Sequence, residues 1–106
     1  MVIVAAVDEA DYRQSRLCRL LGNPVVFEVV RLLAEGREMN TSQIAKAAGR
    51  SVSRVSNILG ALRLADVVRY QTEGTYARYR LKHPRETRKV LDALSGFVKS
   101  AAPTHR

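Results

Sequence analysis

Residues 41–62 read TSQIAKAAGRSVSRVSNILGAL, and two amphipathic helices separated by a glycine are written into them. Thr41 caps the first, whose Ile44, Ala45 and Ala48 face inward, and Gly49 stands where a left-handed residue ends a helix. Ser51 opens the second, which runs from about residue 52 to 65 with Val52, Val55, Ile58, Leu59 and Leu62 on one face at helical spacing. Its other face carries Ser53, Arg54, Asn57, Gly60 and Ala61. A tight turn leading into a helix with a buried stripe and a polar outer face predicts a helix-turn-helix. An ordinary helical hairpin explains the stripes equally well, but it leaves the basic segment that follows without a role. Gly60 costs the helix about 1 kcal/mol relative to alanine, so either close approach from outside or tight packing inside the protein calls for it.

Working outward, Asp8 caps a first helix that continues to about Leu21, with Leu17, Leu20 and Leu21 as its stripe and Gly22 as its stop. Asn23-Pro24 is cap and first residue of a second helix, apolar over much of its circumference to about Ala34, which reads as the buried central helix. Residues 37–40 form a short connector that can run extended. Downstream, residues 67–72 and 75–82 alternate in polarity about Glu73-Gly74, which is hairpin chemistry. A last helix, from about residue 84 to 101, lines up Val90, Leu91, Leu94, Phe97, Val98 and Ala101. The fold class is therefore mainly α with a small β-hairpin: a winged helix-turn-helix of about five helices and a two-stranded wing, forming one domain over residues 1–106.

Charge points the same way. The chain of 106 residues has 18 basic and 10 acidic side chains, a net +8. Residues 39–82 alone hold eight basic residues against Asp66 and Glu73, or +6 of that total. A local excess between nearly balanced flanks marks a contact surface for a polyanion, nucleic acid first, although a solvated face has the same composition. On the fourth helix, Ser53 and Asn57 offer hydrogen bonds to base edges or phosphates, and Arg54 can reach guanine or the backbone. Thr41, Arg50, Ser51 and Ser56 complete the candidate DNA contacts on the two helices. Arg50 stands where an apolar residue is expected. Tyr76, Arg78, Arg80 and Lys82 share one face of the second strand, and Arg78 and Arg80 are placed to meet phosphate or the adjacent minor groove. Tyr70, Tyr76 and Tyr79 suggest stacking platforms for single strands, though a hairpin tyrosine packed on its own sheet is commoner.

The segments LLGNP at residues 20–24, SVSRVSNILGAL at 51–62 and VVRYQTEGTYARYRL at 67–81 together resemble the ArsR/SmtB family of winged-helix repressors, over about residues 17–98. The resemblance implies a homodimer built from the first and last helices, bound to an inverted-repeat operator until a signal releases it. Leu17, Leu20, Val90, Leu94, Phe97 and Val98 are the candidate dimer residues. Their stripes also suit helices that simply close the monomer core. Asp66 departs from the family's usual glycine after the recognition helix, a mild change because Asp tolerates the left-handed region. Val52 stands where a polar contact residue is common. Metal sensing is the family's best-known trait, but Asn40 and Ser42 occupy the positions of one Cys-x-Cys site. The last helix offers Asp92 without a histidine for the other, so no metal site is assigned.

The lone Cys18 excludes an internal disulfide framework and fits a reducing cytoplasm. On the flank of the Leu17/Leu21 stripe it is a candidate redox switch, with a buried thiol acting as a small hydrophobe as the commoner reading. His83 and His105 lack partners that would suggest catalysis, so an enzyme is not expected and no cofactor is assigned. The apolar run at residues 1–7 has no basic start, making it a poor signal peptide, and no segment is long enough to span a membrane. The expected protein is a cytoplasmic, homodimeric regulator of transcription whose partners are double-stranded DNA and a second copy of itself. The alternative is a winged-helix interaction module whose basic face docks an acidic partner or binds nucleic acid without reading sequence.

Overall fold

The structure, a computed structural model, describes residues 8–101; the apolar run at residues 1–7 and His105 lie outside the described residues. Its elements follow in the order α1 (Glu9–Leu21), α2 (Pro24–Ala34), β1 (Met39–Asn40), α3 (Thr41–Ala48), α4 (Val52–Leu64), β2 (Val68–Glu73), β3 (Tyr76–Leu81) and α5 (Pro84–Ala101). The apolar α2 is the hub, touching α1, α3, α5 and β3. Val29, Val30 and Leu33 of α2 meet Ile44 and Ala45 of α3, and Val55, Ile58, Leu59 and Leu62 of α4, in one core that Val67, Val68 and Leu81 complete. Each of these side chains that is fully buried contributes roughly 1.5–3 kcal/mol.

The helix ends explain where the elements stop. Asn23 Oδ1 accepts hydrogen bonds from the backbone N–H groups of Val25 and Val26, at 2.9 and 3.3 Å, and Pro24 begins α2 without needing a donor. Asn40, not Thr41, caps α3. Its Oδ1 accepts from the Gln43 N–H while Gln43 Oε1 accepts from the Asn40 N–H, both at 2.8 Å, a reciprocal capping box. The pairing becomes possible because Asn40 is extended as the last residue of β1, which leaves Thr41 as the first helical residue. Ser51 Oγ caps α4 by accepting from the Arg54 N–H at 3.0 Å. Asp8 caps α1 through its carbonyl alone, and Gly22 ends that helix at φ −70, so this stop is not left-handed. Gly49, at φ 67, is.

The connector at residues 37–40 does more than run extended. Its strand β1 pairs antiparallel with β3, which also pairs with β2, so the two-stranded β2–β3 wing is extended into a three-stranded sheet of order β1-β3-β2. The β2–β3 hairpin turns on Gly74-Thr75, with Gly74 at φ 63 as a two-residue hairpin with glycine first requires. Val68 opposite Leu81 and Tyr70 opposite Tyr79 form the inner face, leaving Arg69 opposite Arg80 and Gln71 opposite Arg78 on the outer one.

Asp66 joins α4 to the wing at φ 64, the only positive φ outside glycine among the described residues. Lys82 Nζ donates to its carboxylate at 2.8 Å, and an Arg13 guanidinium nitrogen lies 3.8 Å away, so one side chain ties α1, the end of α4 and the base of β3. The Lys82 hydrogen bond and charge, opposed slightly by desolvation and aided by Arg13 and His83, hold the Asp66 carboxyl below its ordinary 3.8. A depressed carboxyl stabilises the fold above its unfolded value, and that contribution is lost as pH falls from about 4 through the lowered folded value. Asp66→Asn should therefore show a smaller fall in Tm than the wild type between roughly pH 6 and pH 3. Equal falls, measured by thermal unfolding at both pH values, would mean that the ion pair adds no acid-sensitive stability.

Candidate nucleic-acid interface

With one face of α4 committed to the core, its remaining circumference is determined by the 3.6-residue period. Ser53, Arg54, Ser56 and Asn57 are all exposed, as is Arg50 in the turn before the helix, whose N–H donates to the Ala45 carbonyl at 3.0 Å. Ser51 is exposed too, but its oxygen already accepts the capping bond. Thr41 is half-buried at the start of α3, next to Asn40, which is paired with Arg78. Gly60 shares the outer face with Ser53 and Asn57. A Cβ there would meet nothing within 4 Å, so tight packing within the protein is not what the glycine serves.

Val52 departs from expectation. The spacing assigns it to the buried stripe, but it is 50% exposed, because α4 begins one turn before Val55 and there runs past the end of the core. Leu64 at the other end is 84% exposed for a different reason, since the helical period puts it about 180° around α4 from Val55.

Both wing arginines have carboxylate partners that the alternation of β3 does not disclose. Arg78 Nε donates to Glu73 Oε1 at 2.8 Å, and an Arg80 nitrogen lies 3.5 Å from Glu38. Glu38 comes beside Arg80 because β1 pairs with β3, with Met39 opposite Tyr79. On the other side of β3, Arg80 faces Arg69, a like-charge cross-strand pair that costs stability in the free protein. Arg69 and Gln71 are thus outer-face residues beyond those singled out from the sequence. The signal was available in the period-two alternation of residues 69–73, but only the strand register assigns their partners. The tyrosines divide. Tyr70 and Tyr79 pack with ring centroids 5.5 Å apart, the Arg63 guanidinium lies 5.3 Å from the Tyr70 centroid, and only Tyr76, 62% exposed, is open near the turn. Arg63 belongs to α4 and Tyr70 to β2, so this stack helps hold the wing against the helix.

Leu17 and Leu20 are half-buried on α1, whereas Val90 and Leu94 are 40% and 42% exposed, and Phe97 and Val98 are 73% and 66% exposed, on α5. Neither helix has a fully buried residue. Leu17, Leu20 and Leu21 of α1 and Leu91 of α5 nonetheless pack against the core from outside, so the α1 stripe serves the monomer in part, and the rest of the α5 stripe is left open. Arg88 Nε anchors α5 by donating to the Ala34 carbonyl at 2.8 Å. Cys18 is exposed, so the buried-thiol reading does not describe this protomer.

The family model described as "Bacterial regulatory protein, arsR family" matches residues 23–70, from the cap of α2 into β2. Over that stretch the chain is similar to the arsR family. It is 34% identical over 76 residues to the HTH-type transcriptional regulator KmtR of Mycobacterium tuberculosis, a match covering 72% of this chain and 58% of KmtR. Among solved structures, the homodimeric winged helix-turn-helix DNA-binding domain of Mb0332 from Mycobacterium bovis superposes with a TM-score of 0.75 at 24% identity, over 98% of this chain and all of that one. Rv0081 of M. tuberculosis gives 0.78 at 21% identity over 88% of this chain and 92% of its own. These similarities establish a winged helix-turn-helix. Asn40 is occupied in the capping box, Asp92 is exposed, and among the described residues no group of three or more His, Cys, Asp and Glu side chains could hold an ion.

Because Glu73 holds Arg78, a phosphate must displace a carboxylate to reach it. Glu73→Gln should strengthen binding to random-sequence duplex DNA, by up to about fivefold for an exposed pair worth at most about 1 kcal/mol. Fluorescence anisotropy at moderate salt measures this, and unchanged or weaker binding would show that Arg78 makes no phosphate contact.

Proposed function

We propose that this protein is an arsR-type, cytoplasmic, homodimeric transcriptional repressor that reads an inverted-repeat operator in double-stranded DNA. The observation that carries the reading is α4 itself: Val55, Ile58, Leu59 and Leu62 are buried, while Ser53, Arg54, Ser56 and Asn57 stand exposed in the geometry of a major-groove helix. Thr41, Arg50 and Ser51 flank that helix as backbone contacts, and the outer face of the wing, with Arg78 and Arg80, adds mostly sequence-independent attraction. Two such units related by a two-fold axis would place their helices in successive major grooves, which is why the operator should be a palindrome.

The apolar faces that α1 and α5 leave open support the dimer. Phe97 and Val98 at the end of α5, and the groove of about 670 Å³ between α1 and α4 that includes Leu17, Leu20 and Leu64, are surfaces that a second copy would cover. Asn40 and Ser42 in place of thiolates, and a last helix without imidazole, support release by something other than a transition metal in either family-type site. Cys18 is the candidate for an oxidant response.

Selecting binding sites from a random DNA pool tests the reading directly, since an inverted repeat is the expected product and no preferred sequence would favour an interaction module. On the selected duplex, Arg54→Ala or Asn57→Ala should cost roughly 1–3 kcal/mol of affinity if each side chain meets a base edge. Folding should be unaffected. Full affinity in both variants would remove α4 from the interface. Phe97→Glu should convert the protein to monomers in sedimentation velocity and weaken operator binding with it, whereas a stable dimer in this variant would place the interface elsewhere.

A further inference from the structure

Val52 is the first residue of α4, and its exposure is out of keeping with its place on the helix wheel. At 100° per residue it lies about 60° from Val55 and about 20° from Leu59, both fully buried. Half of its surface is open, at the end of the helix that a major groove receives. Around it, Ser51, Ser53, Arg54 and Ser56 are exposed and polar. A single exposed valine needs no explanation in general. In this position it is nonetheless a poor choice for the protein alone, since a β-branched side chain lowers helix propensity and half of this one gains nothing from burial.

What it offers a partner is apolar surface in a ring of hydrogen-bonding groups. The major-groove edges of the base pairs present donors and acceptors throughout, with one apolar group among them, the C5-methyl of thymine. Hydroxyls and the Arg54 guanidinium match the polar edges, and the valine methyls match only that methyl group.

We propose that Val52 determines specificity for a thymine in each half-site, by packing its methyl groups against the thymine C5-methyl. This rests on the sequence-reading function proposed above. The probes are the duplex recovered by selection from a random pool and copies of it in which each thymine in turn is replaced by deoxyuridine, which deletes the methyl group and leaves the Watson–Crick pairing intact. Binding is followed by fluorescence anisotropy for the wild type and for Val52→Ala, an exposed replacement by a better helix former.

One thymine of each half-site should show a loss of about fourfold on conversion to deoxyuridine with the wild type, the factor for one methylene-sized apolar contact. Val52→Ala should bind the thymine duplex several-fold more weakly and show no further loss with deoxyuridine. No uracil penalty at any thymine, or a penalty that persists undiminished in Val52→Ala, would overturn the assignment while leaving sequence-specific binding in place. A selection that yields no preferred sequence would overturn both the assignment and the function on which it rests.

Discussion

Everything in this protein turns on the burial of one stripe of α4. Val55, Ile58, Leu59 and Leu62 lie against Val29, Val30 and Leu33 of α2 and Ile44 of α3, and the packing is dense enough that most of these side chains lose all contact with solvent. A helix held by four residues on one side has no freedom to roll. Its opposite face is thereby chosen, and with it the set of side chains that can meet another molecule. The left-handed Gly49 and the Ser51 cap determine where that helix starts, so that its first turn stands clear of the core.

Electrostatics at the wing work against the free protein. Arg69 and Arg80 oppose each other across two strands, and Glu38 and Glu73 relieve only part of the repulsion. Surface ion pairs of this kind contribute little stability. Their effect is to hold long guanidinium side chains in defined places and to set a threshold that an incoming anion must exceed. A phosphate backbone, with its regular high charge density, exceeds it more readily than an isolated acidic side chain does. The Arg63–Tyr70–Tyr79 stack and the Asp66 ion network then tie this charged sheet to α4 and α1, so the wing and the helix are positioned by the same few contacts.

The peripheral helices show the opposite economy. With one small core already satisfied by α2, α3, α4 and the sheet, α1 and α5 bury no residue completely, and α5 leaves an aromatic ring and two valines in water. Apolar area of this extent on a small domain is what a self-complementary interface supplies and consumes.

The sequence by itself determined the helices, their faces and the hairpin. Periodicity and punctuation are local: Asn23-Pro24, Gly49, Ser51 and Gly74 stand where the chain must turn or restart, and the apolar residues of α2 and α4 recur with the helical period. The left-handed Asp66 was signalled only by the resemblance, which puts a glycine at that position, and an Asp side chain tolerates that region. Tertiary structure decided what periodicity cannot see. Val52 has the phase of a core residue but stands beyond the core's edge, since phase gives direction and not depth. Residues 39 and 40 became a strand only because β3 was there to pair with them, which handed the cap of α3 from Thr41 to Asn40. The same pairing brought Glu38 to Arg80, and strand register set Arg69 against it. Such partners are chosen by distance in space, and they come from segments far apart in the chain.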